Sequence, residues 1–368
     1  MESMRSTAAN SAAQSSGRRT RAGEVVAFVL NNVDQHPGDV VRLAVERFGI
    51  SRQMVNRHLD RLVSDGLLEA QGATRARRYA LRCVVDSHYT IDLDAHTAED
   101  EVWRQYVAPH IDGLPRNVLQ ICEYGFTEIF NNVIEHSEAD KARILVQLDA
   151  VKVRLMVFDY GIGIFNKLAR DLHLADSRFA LMELMKGKLT TSPAHHSGQG
   201  IFFTARAFDR FRLNSGRLRF AHHKEDDSFR AVVEGRGYDS RGTTVDMQIS
   251  VCSTTTLSGV FDRFATPEVD GFGRTHVYVK LAGYENESLV SRSQARRLVA
   301  RLEEFDEVEL DFEHVDTVGQ AFADEVFRVF RANHPGVRLS STNTSPAVAR
   351  MIQWAEAGQS AEQTRLPF

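Results

Sequence analysis

Cysteine is scarce: Cys83, Cys122 and Cys252 are the only three in 368 residues, and no two of them share a motif. That scatter argues against a disulfide scaffold or a zinc site and fits a reducing, cytoplasmic setting. No stretch approaches the roughly 20 consecutive apolar residues that cross a bilayer, so no membrane partner is expected. Residues 1–21 also lack the apolar core of a signal peptide; rich in Ser, Ala and Arg, they read as a disordered tail. A strong overall charge is missing too, the net value being −4. Its distribution is lopsided, however. Residues 1–85 carry 13 arginines against 8 acidic residues, about +5, which leaves about −9 on the remainder. A basic head on an acidic body points to an anionic partner at the head alone.

The length favours two or three domains rather than one small core. From residue 22 the pattern is helix, turn, helix, turn, helix, hairpin. Val25, Val26, Phe28, Val29 and Leu30 give one apolar helix ending before Pro37, and residues 40–45 give a second, stopped by Gly49. Ser51 caps a third, in which Met54, Val55, Leu59, Leu62 and Val63 recur at helical spacing. Two short strands then flank a turn at Gly72 that carries Arg75, Arg77 and Arg78. Over residues 22–84 this resembles the winged helix-turn-helix family. The resemblance implies a third helix in the major groove of double-stranded DNA, with the hairpin on backbone or minor groove. Arg52, Gln53, Asn56 and Arg57 are then the base-reading candidates, and Arg75 and Arg77 of the hairpin complete the DNA-binding set. Residues 85–115 read as a connector, with a short helix over 99–108 packing Trp103 and Tyr106 on the following domain.

Four short motifs follow in order: Glu-Ile-Phe-Asn-Asn at 128–132, Asp-Tyr-Gly-Ile-Gly at 159–163, Gly-Gln-Gly at 198–200 and Gly-Thr-Thr at 242–244. Leu119, Cys122, Phe126, Ile129 and Val133 step by three and four, which predicts an amphipathic helix over 116–136. Glu128 and Asn132 lie one turn apart on its polar flank. A carboxylate there can orient or deprotonate a water, and a carboxamide oxygen can complete the shell of Mg²⁺. Asn131 and Glu135 offer a competing pair at the same spacing. Two strands follow, and the second delivers Asp159 to a glycine-rich turn, where a fixed carboxylate can accept a hydrogen bond from the amine of adenine. No third glycine follows at the offset of a dinucleotide fingerprint. Gly198 and Gly200, opening an apolar helix, suit phosphate binding by backbone N–H groups. Residues 165–197 form a long segment with the character of a lid, in which Lys186 and Lys188 either touch phosphate or are exposed without a ligand role. Residue 241 opens a strand that brings Thr243 or Thr244 under the base edge.

In this order the motifs resemble the GHKL ATPase superfamily over residues 116–250. Glu128 and Asn132 match its N box, Asp159, Gly161 and Gly163 its adenine box, Gly198 and Gly200 its phosphate box, and Thr243 its final Gly-Thr. The resemblance implies ATP and Mg²⁺ as cofactors and a Bergerat α/β sandwich, a mixed, largely antiparallel sheet with helices on one face, over 116–255. Glu128 would be catalytic, Asn132 the metal ligand, and the others nucleotide-binding. No helix with a phospho-acceptor histidine precedes the N box, which disfavours an ordinary sensor histidine kinase.

After residue 272 strands and helices alternate at the spacing of a small α/β layer, over 273–356, with a tail beyond. Residues 310–324, Leu-Asp-Phe-Glu-His-Val-Asp-Thr-Val-Gly-Gln-Ala-Phe-Ala-Asp, resemble the STAS-like relatives of anti-anti-sigma factors. In STAS regulators a hydroxyl residue just before the glycine is phosphorylated by a GHKL kinase. Val318 stands there, Thr317 is the nearest hydroxyl, and Asp316 and Thr317 read more simply as a cap for the next helix.

The expected fold class is therefore α/β multidomain. The leading expectation is a cytoplasmic, nucleotide-gated DNA-binding transcriptional regulator with a protein partner at its STAS-like domain. Two alternatives stand beside it: a serine/threonine protein kinase of the anti-sigma type, and an ATPase, a homodimer in its clamp form, within a larger (for example defence) machine.

Overall fold

The computed structural model describes residues 21–73, 76–188, 199–225, 228–233, 240–266, 269–283 and 287–363. Arg75, Gly198 and the N-terminal tail through residue 20 lie outside them.

Three helices, α1 (Arg21–Asn32), α2 (Val40–Phe48) and α3 (Arg52–Ser64), precede the antiparallel hairpin of β1 (Leu68–Gln71) and β2 (Arg78–Leu81). Gly49 ends α2 in the left-handed region, at φ 61°. Ser51 Oγ then accepts the Met54 N–H at 3.2 Å and starts α3. Val29, Val33, Val55, Leu59, Leu62 and Tyr79 share one buried core, and each such aliphatic side chain contributes about 1.5–3 kcal/mol. Met54, expected inside, is 46% exposed. One residue from Val55, it is turned about 100° away from the 55–59–62 stripe.

Only residues 82–84 separate β2 from β3 (Val85–Asp92), so most of the expected connector belongs to the central domain. There β3 pairs with β4 (Lys141–Leu148) as the edge of a seven-stranded sheet. The sheet continues through β5 (Lys152–Asp159), β6 (Arg210–Gly216), β7 (Leu218–His223), β8 (Ser228–Val233) and β9 (Ser240–Ser250), in the order β3-β4-β5-β9-β6-β7-β8. The sheet, expected to be mixed but largely antiparallel, is antiparallel at every pairing. Tight turns join β4 to β5 and β6 to β7, a connection open only to antiparallel neighbours. Strands β6 and β7 carry alternating apolar residues, Phe211 and Leu213 in one and Leu218 and Phe220 in the other. A helical segment over 99–111 includes a π-helical stretch, Trp103–Val107. It packs buried Trp103 on Phe126, with ring centroids 5.7 Å apart, and Tyr106 on Tyr89 of β3, at 5.0 Å.

Helix α4 (Arg116–His136) follows Pro115 and lays Val118, Cys122, Phe126, Ile129 and Val133 on the sheet. Within residues 165–188, α5 (Ile164–Asp171) and α6 (Ser177–Lys186) are regular helices. Helix α7 (Gly200–Ala207) packs on α4, and α8 (Leu257–Asp262) packs on α7. A small hairpin, β10 (Ala265–Thr266) and β11 (Val269–Phe272), leads onward. The last domain is a three-stranded parallel sheet of β12 (Arg274–Tyr278), β13 (Glu307–Asp311) and β14 (Arg338–Thr342). Its helices are α9 (Arg292–Val299), a segment over 320–333 with a π-helical stretch, Asp324–Phe330, and α10 (Pro346–Gln363). Helix α10 runs past the expected tail boundary because Ala357, Ala361, Glu362 and Gln363 are strong helix formers that outweigh Gly358.

Candidate functional site

Strand period places the central carboxylate. Val153, Leu155 and Val157 of β5 point into the core, and the same two-residue step carries Asp159 to the buried face, where it is 2% exposed. Its Oδ1 accepts the Gly161 N–H at 2.8 Å and the Thr243 N–H at 3.2 Å. No donor among the described residues reaches Oδ2. Burial raises the Asp159 pKa, and the two N–H groups oppose that rise. Thr243 Oγ1 in turn accepts the Ile164 N–H at 3.0 Å, at the start of α5. Ser215 Oγ of β6 donates to Gly242 O at 3.1 Å. Thr243, rather than Thr244, thereby joins the site, and Ser215 is a member that the motif reading missed.

Around Asp159 a cleft of about 420 Å³, counting its open mouth, is lined by Ile129, Val133, Val157, Ile164, Ile201, Leu213 and Val245. Asn132, His136, Ser137, Asp159 and Thr243 provide its polar edge. An apolar slot with a few convergent polar groups suits a flat heteroaromatic ring. Asn132 lines this cleft, whereas Glu128, Asn131 and Glu135 are not among its lining residues. The Asn132 amide donates to Glu128 O at 2.6 Å, so its Oδ1 keeps its acceptor capacity.

Two glycines are fixed by close approach. A Cβ on Gly161 would stand 1.8 Å from Ser137 O, the carbonyl that accepts the Ile162 N–H at 2.9 Å. A Cβ on Gly200 would stand 1.9 Å from Glu128 Oε2, so the absence of a side chain lets that carboxylate rest against the first turn of α7. Gly163 has φ 82° and opens α5. Tyr124 is pushed up by burial and by the charge of Glu128. Asn132, Asp159 and Thr243 thus line the cleft and Gly161 bonds Asp159, while Glu128, Gly163 and Gly200 are not among its lining residues.

A second surface lies on the winged helix. Arg52, Gln53, Asn56 and Arg57 are all exposed on one side of α3, and Met54 is exposed beside them. Arg77 instead folds back, with its guanidinium 3.2 Å from Asp60 of α3 and over the Tyr79 ring at 5.1 Å. It therefore ties the hairpin to the helix. In the last domain Thr317 is exposed, whereas Val318 is buried in a parallel bridge with Leu289. The expected cap from Asp316 or Thr317 does not form: Gly319 is the N-cap residue, without a side-chain bond. Its N–H is already taken by Leu289 O at 2.8 Å.

The fold is a winged helix joined to a seven-stranded α/β sandwich and a small parallel α/β domain. Three family models match the chain in the same order. The MarR family matches residues 24–78, a histidine kinase-like ATPase domain matches 93–219, and a STAS-like domain of unknown function matches 294–349. No curated protein matches the chain. The chain is thus a fusion of a MarR-type winged helix, a GHKL-type ATPase domain and a STAS-like domain. The ATPase match ends before β9, so Thr243 is assigned to the site by its hydrogen bonds alone.

Proposed function

We propose that this chain is a cytoplasmic regulator that binds Mg-ATP in the Asp159 cleft and lets the nucleotide set the affinity of its winged helix for double-stranded DNA. The observation that carries the reading is Asp159: a buried carboxylate with Oδ1 committed to two backbone N–H groups and Oδ2 left to accept from an adenine amine. The apolar walls hold the ring. The first turn of α7 offers N–H groups to the phosphates, and Asn132 Oδ1 supplies one hard oxygen to Mg²⁺. Glu128, against Gly200, is placed to orient a water near the phosphates.

On α3, Arg52 and Arg57 would pair with guanine, Gln53 and Asn56 with adenine, and exposed Met54 with a thymine methyl. Arg77, bound to Asp60, positions the hairpin. The link of three residues, 82–84, between β2 and β3 transmits any shift in the sandwich to the winged helix. Asp34 and Lys152 add a bridge of 3.0 Å between the same two domains.

Exposed Thr317 keeps a phosphotransfer reading open, with the hydroxyl one residue before buried Val318 as acceptor. Transfer of labelled γ-phosphate to the wild-type chain, absent in Glu128→Ala and in Thr317→Ala, would establish it. Nucleotide affinity and turnover of wild type, Asp159→Asn and Glu128→Ala test the main reading. Wild type that fails to bind ATP overturns it.

A further inference from the structure

The ATPase and STAS-like domains meet at the end of α6, and the contact is made by a buried ammonium. Lys186 is 1% exposed. Its Nζ bonds Glu183 Oε1 at 2.7 Å, and across the domain boundary it reaches Ala300 O at 2.8 Å and Arg297 O at 3.3 Å. Those carbonyls close α9, where the helix dipole favours a cation. The Lys186 carbonyl accepts from Thr275 Oγ1 of β12 at 2.6 Å, and the Lys188 carbonyl accepts from Arg301 Nη2, also at 2.6 Å. Arg297 lies over the Phe179 ring of α6 at 4.5 Å. Lys186 and Lys188 therefore serve neither role expected of them: they are not exposed lid residues, and their polar atoms are turned to the STAS-like domain.

The other side of this contact leads to the nucleotide cleft. Gly187, at φ 80°, is packed so closely that an added Cβ would stand 2.5 Å from Phe272 and 3.2 Å from Phe202. Phe202 lies two residues beyond Gly200, which touches Glu128. Its ring packs at a tilt against Phe272 at 4.7 Å, and Phe272 meets Phe305 of the STAS-like domain edge-to-face at 5.4 Å. A charge this deeply buried is costly to desolvate, and an apolar pair would pack the same space more cheaply. Burial pulls the Lys186 pKa down while Glu183 pushes it back up, so the ammonium depends on its partners.

We propose that Lys186 is a latch through which the STAS-like domain and the nucleotide site regulate each other: it fixes α6 and Gly187 to the α9 carbonyls, and Gly187 buttresses the helix α7 that faces the phosphates. This rests on the nucleotide reading of the Asp159 cleft. Nucleotide that orders the first turn of α7 steadies Phe202, Gly187 and the Lys186 contacts in turn, and the coupling is reciprocal.

The test is amide hydrogen exchange on the full chain, with and without a saturating non-hydrolysable ATP analogue. In wild type the analogue should slow exchange over residues 297–304 by threefold or more. The double variant Glu183→Leu/Lys186→Met replaces the ion pair by apolar side chains of similar length. It should still bind the analogue and lose that slowing. Thr275→Val, which removes only the hydroxyl that holds the Lys186 carbonyl, should reduce the slowing while leaving affinity within twofold. Unchanged or faster exchange over 297–304 in wild type with bound analogue overturns the latch, as does full slowing in both variants. An analogue that does not bind wild type overturns the nucleotide reading instead.

Discussion

The amide of Thr243 donates to the carboxylate of Asp159 across 84 residues of sequence, at 3.2 Å. This bond closes the cleft between β5 and β9, strands that pair antiparallel at the centre of the sheet. Burial makes the ionised form of Asp159 costly without ligand, and this bond offsets only part of that cost.

Asp159→Asn should therefore separate stability from function. Because burial raises the Asp159 pKa, the ionised carboxylate destabilises the folded state at any pH above that raised value. The penalty fades as pH falls through the folded and then the unfolded pKa. At neutral pH the variant should melt at a higher temperature than wild type in the absence of nucleotide. It should bind ATP roughly 10- to 100-fold more weakly, the weight of a charge-assisted hydrogen bond of about 1.5–3 kcal/mol. Melting curves with and without ATP check both outcomes. For wild type, ATP affinity should fall on acidification at a pH above the usual aspartate range.

Gly200→Ala tests the contact with Glu128. Alanine is the better helix former by roughly 0.8–1 kcal/mol, so propensity alone predicts a more stable helix α7. The Cβ would nonetheless displace the Glu128 carboxylate, which lies within 1.9 Å of it. Circular dichroism should show a folded protein, whereas nucleotide affinity and any turnover should drop at least tenfold. An unimpaired Gly200→Ala protein would remove Glu128 from the site.

On the winged helix, Arg52→Ala and Arg57→Ala should each weaken DNA binding by about 1–3 kcal/mol where they read a base. Arg77→Ala should instead loosen the hairpin, because its guanidinium is already engaged by Asp60 and Tyr79. Fluorescence anisotropy across a salt series distinguishes the cases. An arginine that touches only phosphate lowers the salt slope by about one.

The fold was legible where local pattern decides. The helix over 116–136 was placed to the residue, and the strand that ends at Asp159 to within one, because apolar period and glycine punctuation agree there. Long-range pairing was not legible. Nothing local to Val85–Asp92 announces an edge strand, since its partner β4 begins 49 residues further on. Ser215 escaped notice for the same reason: its role depends on β6 lying beside β9. Lys186 is not legible as a core residue because a lysine normally faces water, and its burial depends on Glu183 together with the α9 carbonyls of another domain. Thr317 was considered for its neighbours' identity, and the parallel bridge that buries Val318 was invisible to that reading.

The route from cleft to DNA yields a prediction of its own. The Asp34–Lys152 pair is partly exposed, and such pairs are worth only about 0–1 kcal/mol. Coupling through residues 82–84 should therefore dominate. Inserting Gly-Ser-Gly-Ser after Val84 should preserve both nucleotide and DNA binding while abolishing the effect of one on the other. Asp34→Ala should leave that effect within about threefold of wild type.

Nucleotide gating itself is tested most directly by DNA affinity of the full chain with and without a non-hydrolysable Mg-ATP analogue, on a duplex selected by wild type from a random pool. The expected change in DNA Kd is fivefold or more, the lower end of ordinary allosteric coupling of about 1–3 kcal/mol, and in Asp159→Asn it should need roughly 10- to 100-fold more analogue. An unaltered DNA Kd in wild type with the analogue bound at saturation would contradict it.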